Sequence, residues 1–151
     1  MSRHLAGLIV NRLVEARAHH GVDVVTWAPT SARRRRERGF DQGELLARSV
    51  ARQLGVPCRR LLERDASATQ TGRTRAQRLK SAPVFVARPG LEGRQILVID
   101  DVVTTGSTLN AAGEALADRG ATAVLAAVAS TPDPRVATVL PMRRRKISSA
   151  A

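Results

Sequence analysis

Hydrophobic and polar positions change period along the chain. Leu5, Leu8, Ile9, Leu13 and Ala16 recur at helical spacing, and Gly21 closes the run, so residues 3–20 are expected as an amphipathic helix. Residues 22–27 switch to a nearly continuous apolar stretch, Val22, Val24, Val25 and Trp27. That is the pattern of a strand buried on both faces of a parallel sheet. Pro29 stops it, and residues 30–40 are expected as a loop. Asp41 and Glu44 have capping-box spacing and open a helix to residue 54, with Leu45, Leu46, Val50 and Leu54 inward and Gly55 and Pro57 as its stop. A strand is expected at residues 58–62. Residues 64–81 are polar and aperiodic, a long loop of the kind that in a compact domain is more often functional than decorative.

The second half repeats the alternation. Residues 84–87 predict a short strand, 89–93 a turn, and 95–99 a strongly apolar strand that ends on two aspartates. Gly106 and Ser107 open a helix over residues 108–119, with Leu109, Ala112 and Leu116 on its inner face and Gly120 as its stop. Residues 122–129 supply one more strand. Residues 96–129 thus form a βαβ unit, and the whole order argues for an α/β fold with a mostly parallel twisted sheet flanked by helices. From Met142 onward Arg143, Arg144, Arg145 and Lys146 precede only Ile, Ser and Ala. The domain is therefore expected to span residues 1–141, followed by a basic, disordered tail over 142–151.

Composition narrows the function classes. The 151 residues suit one core, and 43% hydrophobic with 25% charged residues mark a globular chain. Aromatics reach only 2%, so Val, Leu, Ile and Ala must build the core, and a base-stacking surface for single-stranded nucleic acid is poorly supplied. The net charge of +12 favours anionic partners, whether the phosphates of a metabolite or of a nucleic acid. Cys58 is the single cysteine, which rules out an intramolecular disulfide or a CxxC metal site and accords with a reducing cytoplasm. The sequence has no long apolar run and no signal-peptide pattern, so a soluble cytoplasmic protein without a membrane partner is expected. His4, His19 and His20 have no ligands at metal-binding spacing and read as surface residues.

The chemistry concentrates in residues 96–109, ILVIDDVVTTGSTL. Ligands of open α/β sheets collect at the carboxyl ends of strands. This strand delivers Asp100 and Asp101 there, followed by Val102, Val103, Thr104, Thr105, Gly106, Ser107 and Thr108 at the mouth of a helix. Amide groups at such a mouth receive a phosphate dianion, Gly106 permits close approach, and the hydroxyls add neutral hydrogen bonds. The two carboxylates are unsuited to that phosphate. They are expected to accept from ribose hydroxyls and to help hold hydrated Mg²⁺. The segment is neither a Walker A loop nor a dinucleotide fingerprint.

Four aliphatics, an acidic pair and Thr-Gly-Ser-Thr resemble the phosphoribosyl-pyrophosphate signature of type I phosphoribosyltransferases. Residues 34–46, RRRERGFDQGELL, with residues 69–80, TQTGRTRAQRLK, resemble the ComF family, whose members also often carry a cysteine-rich zinc module and commonly show Asn where Asp41 stands. The resemblance covers residues 24–130. It implies a phosphoribosyltransferase-like fold with a mobile hood loop, a phosphoribosyl pyrophosphate ligand and Mg²⁺ as cofactor. It also implies a pyrophosphate loop comprising Thr30, Ser31, Arg34, Arg35, Arg36, Arg38 and Gly39, with Phe40 as anchor. Gln70, Thr71, Gly72, Arg73, Arg75 and Arg78 would form the mobile loop. The first set also suits a solvated basic loop or an RNA-binding patch, and the second an exposed amphipathic helix. The activity implied is transfer of a phosphoribosyl group to a nitrogen acceptor, with Asp100 and Asp101 catalytic. The alternative is a non-catalytic accessory factor for DNA uptake and natural competence. Expected partners are the sugar phosphate, a second copy in a homodimer, and, for the accessory role, nucleic acid or competence-machinery proteins.

Overall fold

The computed structural model describes residues 2–65, 83–101, 106–127 and 138–140. Its elements in chain order are α1 (Ser2–Glu15), β1 (Val24–Trp27), α2 (Ala32–Arg38), α3 (Gln42–Leu54), β2 (Leu62–Arg64), β3 (Phe85–Ala87), β4 (Gln95–Asp100), α4 (Ser107–Ala117), β5 (Thr122–Ala127) and β6 (Thr138–Leu140). One sheet runs in the order β1-β4-β5-β6, and β2 and β3 form a separate antiparallel ribbon. β1, β4 and β5 are parallel, while β6, unexpected from the sequence, closes the edge antiparallel to β5. Among the described residues no helix is long and apolar enough to cross a membrane.

The near-continuous apolar run of β4 is explained by burial on both faces. Ile96, Leu97, Val98 and Ile99 are all fully buried. At about 1.5–3 kcal/mol for each such side chain, this strand is a main source of the fold's stability. Ile96 and Val98 pack with Val24, with Leu109, Ala112 and Leu116 of α4, and with Leu62 and Phe85 of the ribbon. Leu97 and Ile99 pack on the opposite face with Val25, Trp27, Ile9, Leu13, Leu46 and Val50, beneath α1 and α3. Buried Thr26 ties ribbon to sheet by accepting the Leu61 N–H at its hydroxyl (3.2 Å). In the β1–β4 register Trp27 lies beside Ile99, so the chain leaves both strands at one carboxyl edge.

Several expectations are corrected. Residues 32–38 are helical, not a loop, because Ser31 caps them, Arg33 pairs with Glu37 one turn on at 3.1 Å, and Gly39 closes them at φ 77°. α1 stops at Glu15 and Ala16 is exposed. Arg17, at φ 53°, supplies the left-handed residue of a Schellman closure in which the Ala18 N–H donates to the Leu13 carbonyl at 2.9 Å. Leu45 and Phe40 are each 44% exposed, so Leu45 misses the buried face of α3 and Phe40 anchors nothing within the described core. That face is Leu46, Ala47, Val50 and Ala51, with Leu54 half-buried at its end. The strand expected at 58–62 reduces to a single parallel bridge from Cys58 to Val25, and the strand proper begins at Leu62. His19 is half-buried, stacked 4.0 Å from His20, whereas His4 and His20 are exposed as expected. The basic tail lies outside the described residues.

Candidate functional site

Asp100 ends β4, next to the point where the Ala28 N–H donates to the Ile99 carbonyl at 3.0 Å. Its carboxyl is pushed up to about 8, first by burial, then by its hydrogen bond to Asp101 and by that neighbour's charge, with the charge of Asp41 adding to the effect. Asp100 Oδ1 also accepts the Asp101 N–H at 2.9 Å, which partly offsets the rise. Both residues are half-buried. A carboxyl crowded by burial and like charge gains from a nearby cation. Among the described residues no three His, Cys, Asp or Glu side chains gather at ligand distance. Two adjacent carboxylates nevertheless suit Mg²⁺, which binds through one or two of them and keeps waters and substrate oxygens.

Beyond Asp101, the expected phosphate-loop residues Val102, Val103, Thr104 and Thr105 lie outside the described residues. Buried Gly106 is the N-cap of α4 at φ 77°, ψ 0°, where other residues are strained, and it provides no side-chain cap. Ser107 is exposed and Thr108 half-buried in the first turn. The cap itself, five residues after Asp101, is thus backbone only.

At the end of β1, an open cleft of about 400 Å³ is lined by Trp27, Thr30, Ser31, Arg35, Asp41 and Arg64, among others. Asp41 is both the α3 cap and a tether for the turn before α2. Its Oδ1 accepts from the Gly43 and Glu44 N–H groups at 2.9 and 3.4 Å, and its Oδ2 accepts from the Thr30 N–H at 3.0 Å. Glu44 turns away from the expected reciprocal cap and bonds Arg48 at 2.8 Å.

Of the expected pyrophosphate-loop residues, Thr30, Ser31 and Arg35 line the cleft, while Arg36 and Arg38 are exposed on α2 without lining it. Arg34 acts electrostatically on Arg64, and Gly39 ends the helix rather than bending a loop. Gln70, Thr71, Gly72, Arg73, Arg75 and Arg78 lie outside the described residues. Sequence reasoning missed Arg64. Its Nε donates to the Pro29 carbonyl at 2.7 Å, and its guanidinium sits 5.6 Å from the Phe85 ring centroid. Burial and the charge of Arg34 lower its pKa, while the charges of Asp100 and Asp41 act in the opposite direction, and the residue lines the cleft. The available signal was the Leu62-Glu63-Arg64 alternation, which resembles the start of a polar loop when read by composition alone.

The chain is similar to known proteins. The chain is 34% identical over 128 residues to the DNA utilization protein YhgH of Salmonella typhi, covering 80% of this chain and 56% of that one. It is 37% identical over 93 residues to the competence protein ComFC of Bacillus subtilis, covering 61% of this chain and 37% of that one, in line with the ComF resemblance. It thus spans about half or less of the length of these relatives. Its fold matches the B. subtilis glutamine phosphoribosylpyrophosphate amidotransferase, solved with ADP and GMP, at a TM-score of 0.55 and 21% identity over 82% of this chain and 25% of that one. Residues 41–147, which include the acidic pair and the Gly106 helix mouth, match the phosphoribosyl transferase domain family, and the chain belongs to that family.

Proposed function

We propose that the chain binds phosphoribosyl pyrophosphate with Mg²⁺ and transfers the phosphoribosyl group to a nitrogen acceptor. The observation that supports this reading most directly is the parallel β1–β4 pairing, in which both strands end at one edge, where Asp100 and Asp101 follow Ile99 and Gly106, five residues after Asp101, opens α4. The 5′-phosphate is received by the amides of Ser107 and Thr108, aided by the helix dipole. Asp100 and Asp101 accept from the ribose hydroxyls and hold the cation, which supplies charge neutralisation to the pyrophosphate. Arg35, which lines the cleft with Thr30 and Ser31, faces that leaving group. The bond from C1 of the ribose to the pyrophosphate oxygen breaks, its electrons leave with the pyrophosphate, and the acceptor nitrogen bonds C1 through its lone pair and then gives up its N–H proton to solvent. Positioning and electrostatics carry such a step without a covalent nucleophile.

A second reading is supported by the names of the relatives, which concern competence and DNA utilization. Here the pocket binds its sugar phosphate without turnover, and the exposed arginines of α2 contact nucleic acid or partner proteins. Both readings put the protein in the cytoplasm, and a homodimer is compatible with either. Calorimetry with phosphoribosyl pyrophosphate and Mg²⁺, then a pyrophosphate-release assay across nucleobases and amines, separates them. Binding with release favours the transferase, and binding alone favours the accessory factor. No binding, with salt-sensitive DNA affinity that survives loss of both aspartates, defeats the sugar-phosphate site altogether.

A further inference from the structure

The peptide group joining Pro29 to Thr30 is gripped at both ends by charged side chains from distant parts of the chain. Its carbonyl accepts from Arg64 Nε at 2.7 Å, and its N–H donates to Asp41 Oδ2 at 3.0 Å. In the usual trans geometry these two groups point in opposite directions, so a guanidinium on one side and a carboxylate on the other fix the rotation of the plane. Both bonds are charge-assisted and so belong to the stronger class. The clamping groups are themselves held. Arg64 pairs in register with Phe85 and lies against its ring, while Asp41 is 8% exposed and bonded through its second oxygen to the first turn of α3.

The clamp matters because of the helix that it precedes. α2 begins two residues after this peptide and buries none of its residues, so its own packing does not fix where Arg34 and Arg35 stand. Its placement comes from its ends, and the clamp holds the first of them. We infer that Asp41 and Arg64 are positioning residues, which together orient the Pro29–Thr30 peptide and thereby aim the start of α2 at an anionic ligand in the cleft. The ligand half of this inference rests on the proposed anion-binding role of the cleft, whereas the peptide half does not.

Asp41→Asn tests it selectively. An asparagine has one side-chain oxygen, which the Gly43 and Glu44 amides claim, leaving its NH₂ opposed to the Thr30 N–H. The α3 cap survives and the tether breaks. Amide hydrogen exchange at Thr30 is followed by NMR, and binding of inorganic pyrophosphate with Mg²⁺ by calorimetry, on the full chain. The expected results are Thr30 exchange faster by about tenfold, as loss of one charge-assisted hydrogen bond gives, and pyrophosphate affinity several-fold weaker. Arg64→Lys, which retains the cleft's charge but not the Nε donor, should weaken pyrophosphate binding likewise and reads the same peptide from its carbonyl side if Asp41→Asn fails to fold. Unchanged Thr30 exchange in a folded variant overturns the clamp. Faster exchange with unaltered affinity overturns the positioning role. Wild-type protein that binds no pyrophosphate removes the anionic ligand and the ligand half with it, and the exchange result then still decides the peptide half.

Discussion

Replacing Asp100 with Asn should flatten the pH dependence of folding stability and lessen its sensitivity to Mg²⁺. The wild-type carboxyl is raised to about 8 from 3.8 by burial, by its bond to Asp101 and by the charges of Asp101 and Asp41. Its native form therefore holds a proton that the unfolded chain has lost above about pH 4. The sign follows: this group's contribution is fully present below the unfolded pKa and is lost as pH rises toward 8. The slope is at most about 1.4 kcal/mol per pH unit, and a chain of this size moves by about 2–4 °C in Tm per kcal/mol. Asn mimics the protonated carboxyl and cannot titrate. Thermal unfolding from pH 5 to 8, with and without Mg²⁺, is the assay. Between those limits wild type should lose stability relative to the variant, and Mg²⁺ should restore it most at pH 8, where the proton it displaces is held least tightly. Parallel profiles for the two proteins would refute the raised carboxyl, and equal Mg²⁺ shifts would refute Asp100 as a ligand.

Other perturbations separate fold from site. Gly106→Val places a β-branched residue at φ 77°, and should weaken phosphoribosyl pyrophosphate binding beyond detection while costing about 1–2 kcal/mol of stability; retained binding in calorimetry would count against the helix mouth. Leu109→Ala opens a cavity in the fully buried face of α4 and should cost about 2–5 kcal/mol by urea denaturation, a loss under about 1 kcal/mol contradicting the assigned packing. Ser31→Ala removes the cap of a helix that buries no residue, and should cost about 1 kcal/mol locally; NMR shifts of residues 32–38 that stay helical would show that the cap is dispensable.

How much of the fold was legible in the sequence depended on burial. β4 and α4 were readable because each carries an unbroken apolar signal, Ile96 to Ile99 on two faces and Leu109, Ala112 and Leu116 on one. The acidic pair and Gly106 were readable because their order along the chain is their order in space. α2 was not, since a helix held by caps and an Arg33–Glu37 pair has no hydrophobic period to detect. Arg64 escaped for a different reason. Its role arises from contacts with Pro29 and Phe85, 35 and 21 positions away, and local pattern does not encode such pairings.

Whether the carboxyl edge of β4 and the mouth of α4 hold a phosphorylated ribose is tested most directly by a crystal structure with phosphoribosyl pyrophosphate and Mg²⁺. The 5′-phosphate should lie within hydrogen-bond reach of the Ser107 and Thr108 amides, with the ribose hydroxyls on Asp100 and Asp101. Density for the ligand elsewhere, with both carboxylates turned from it, would contradict that assignment.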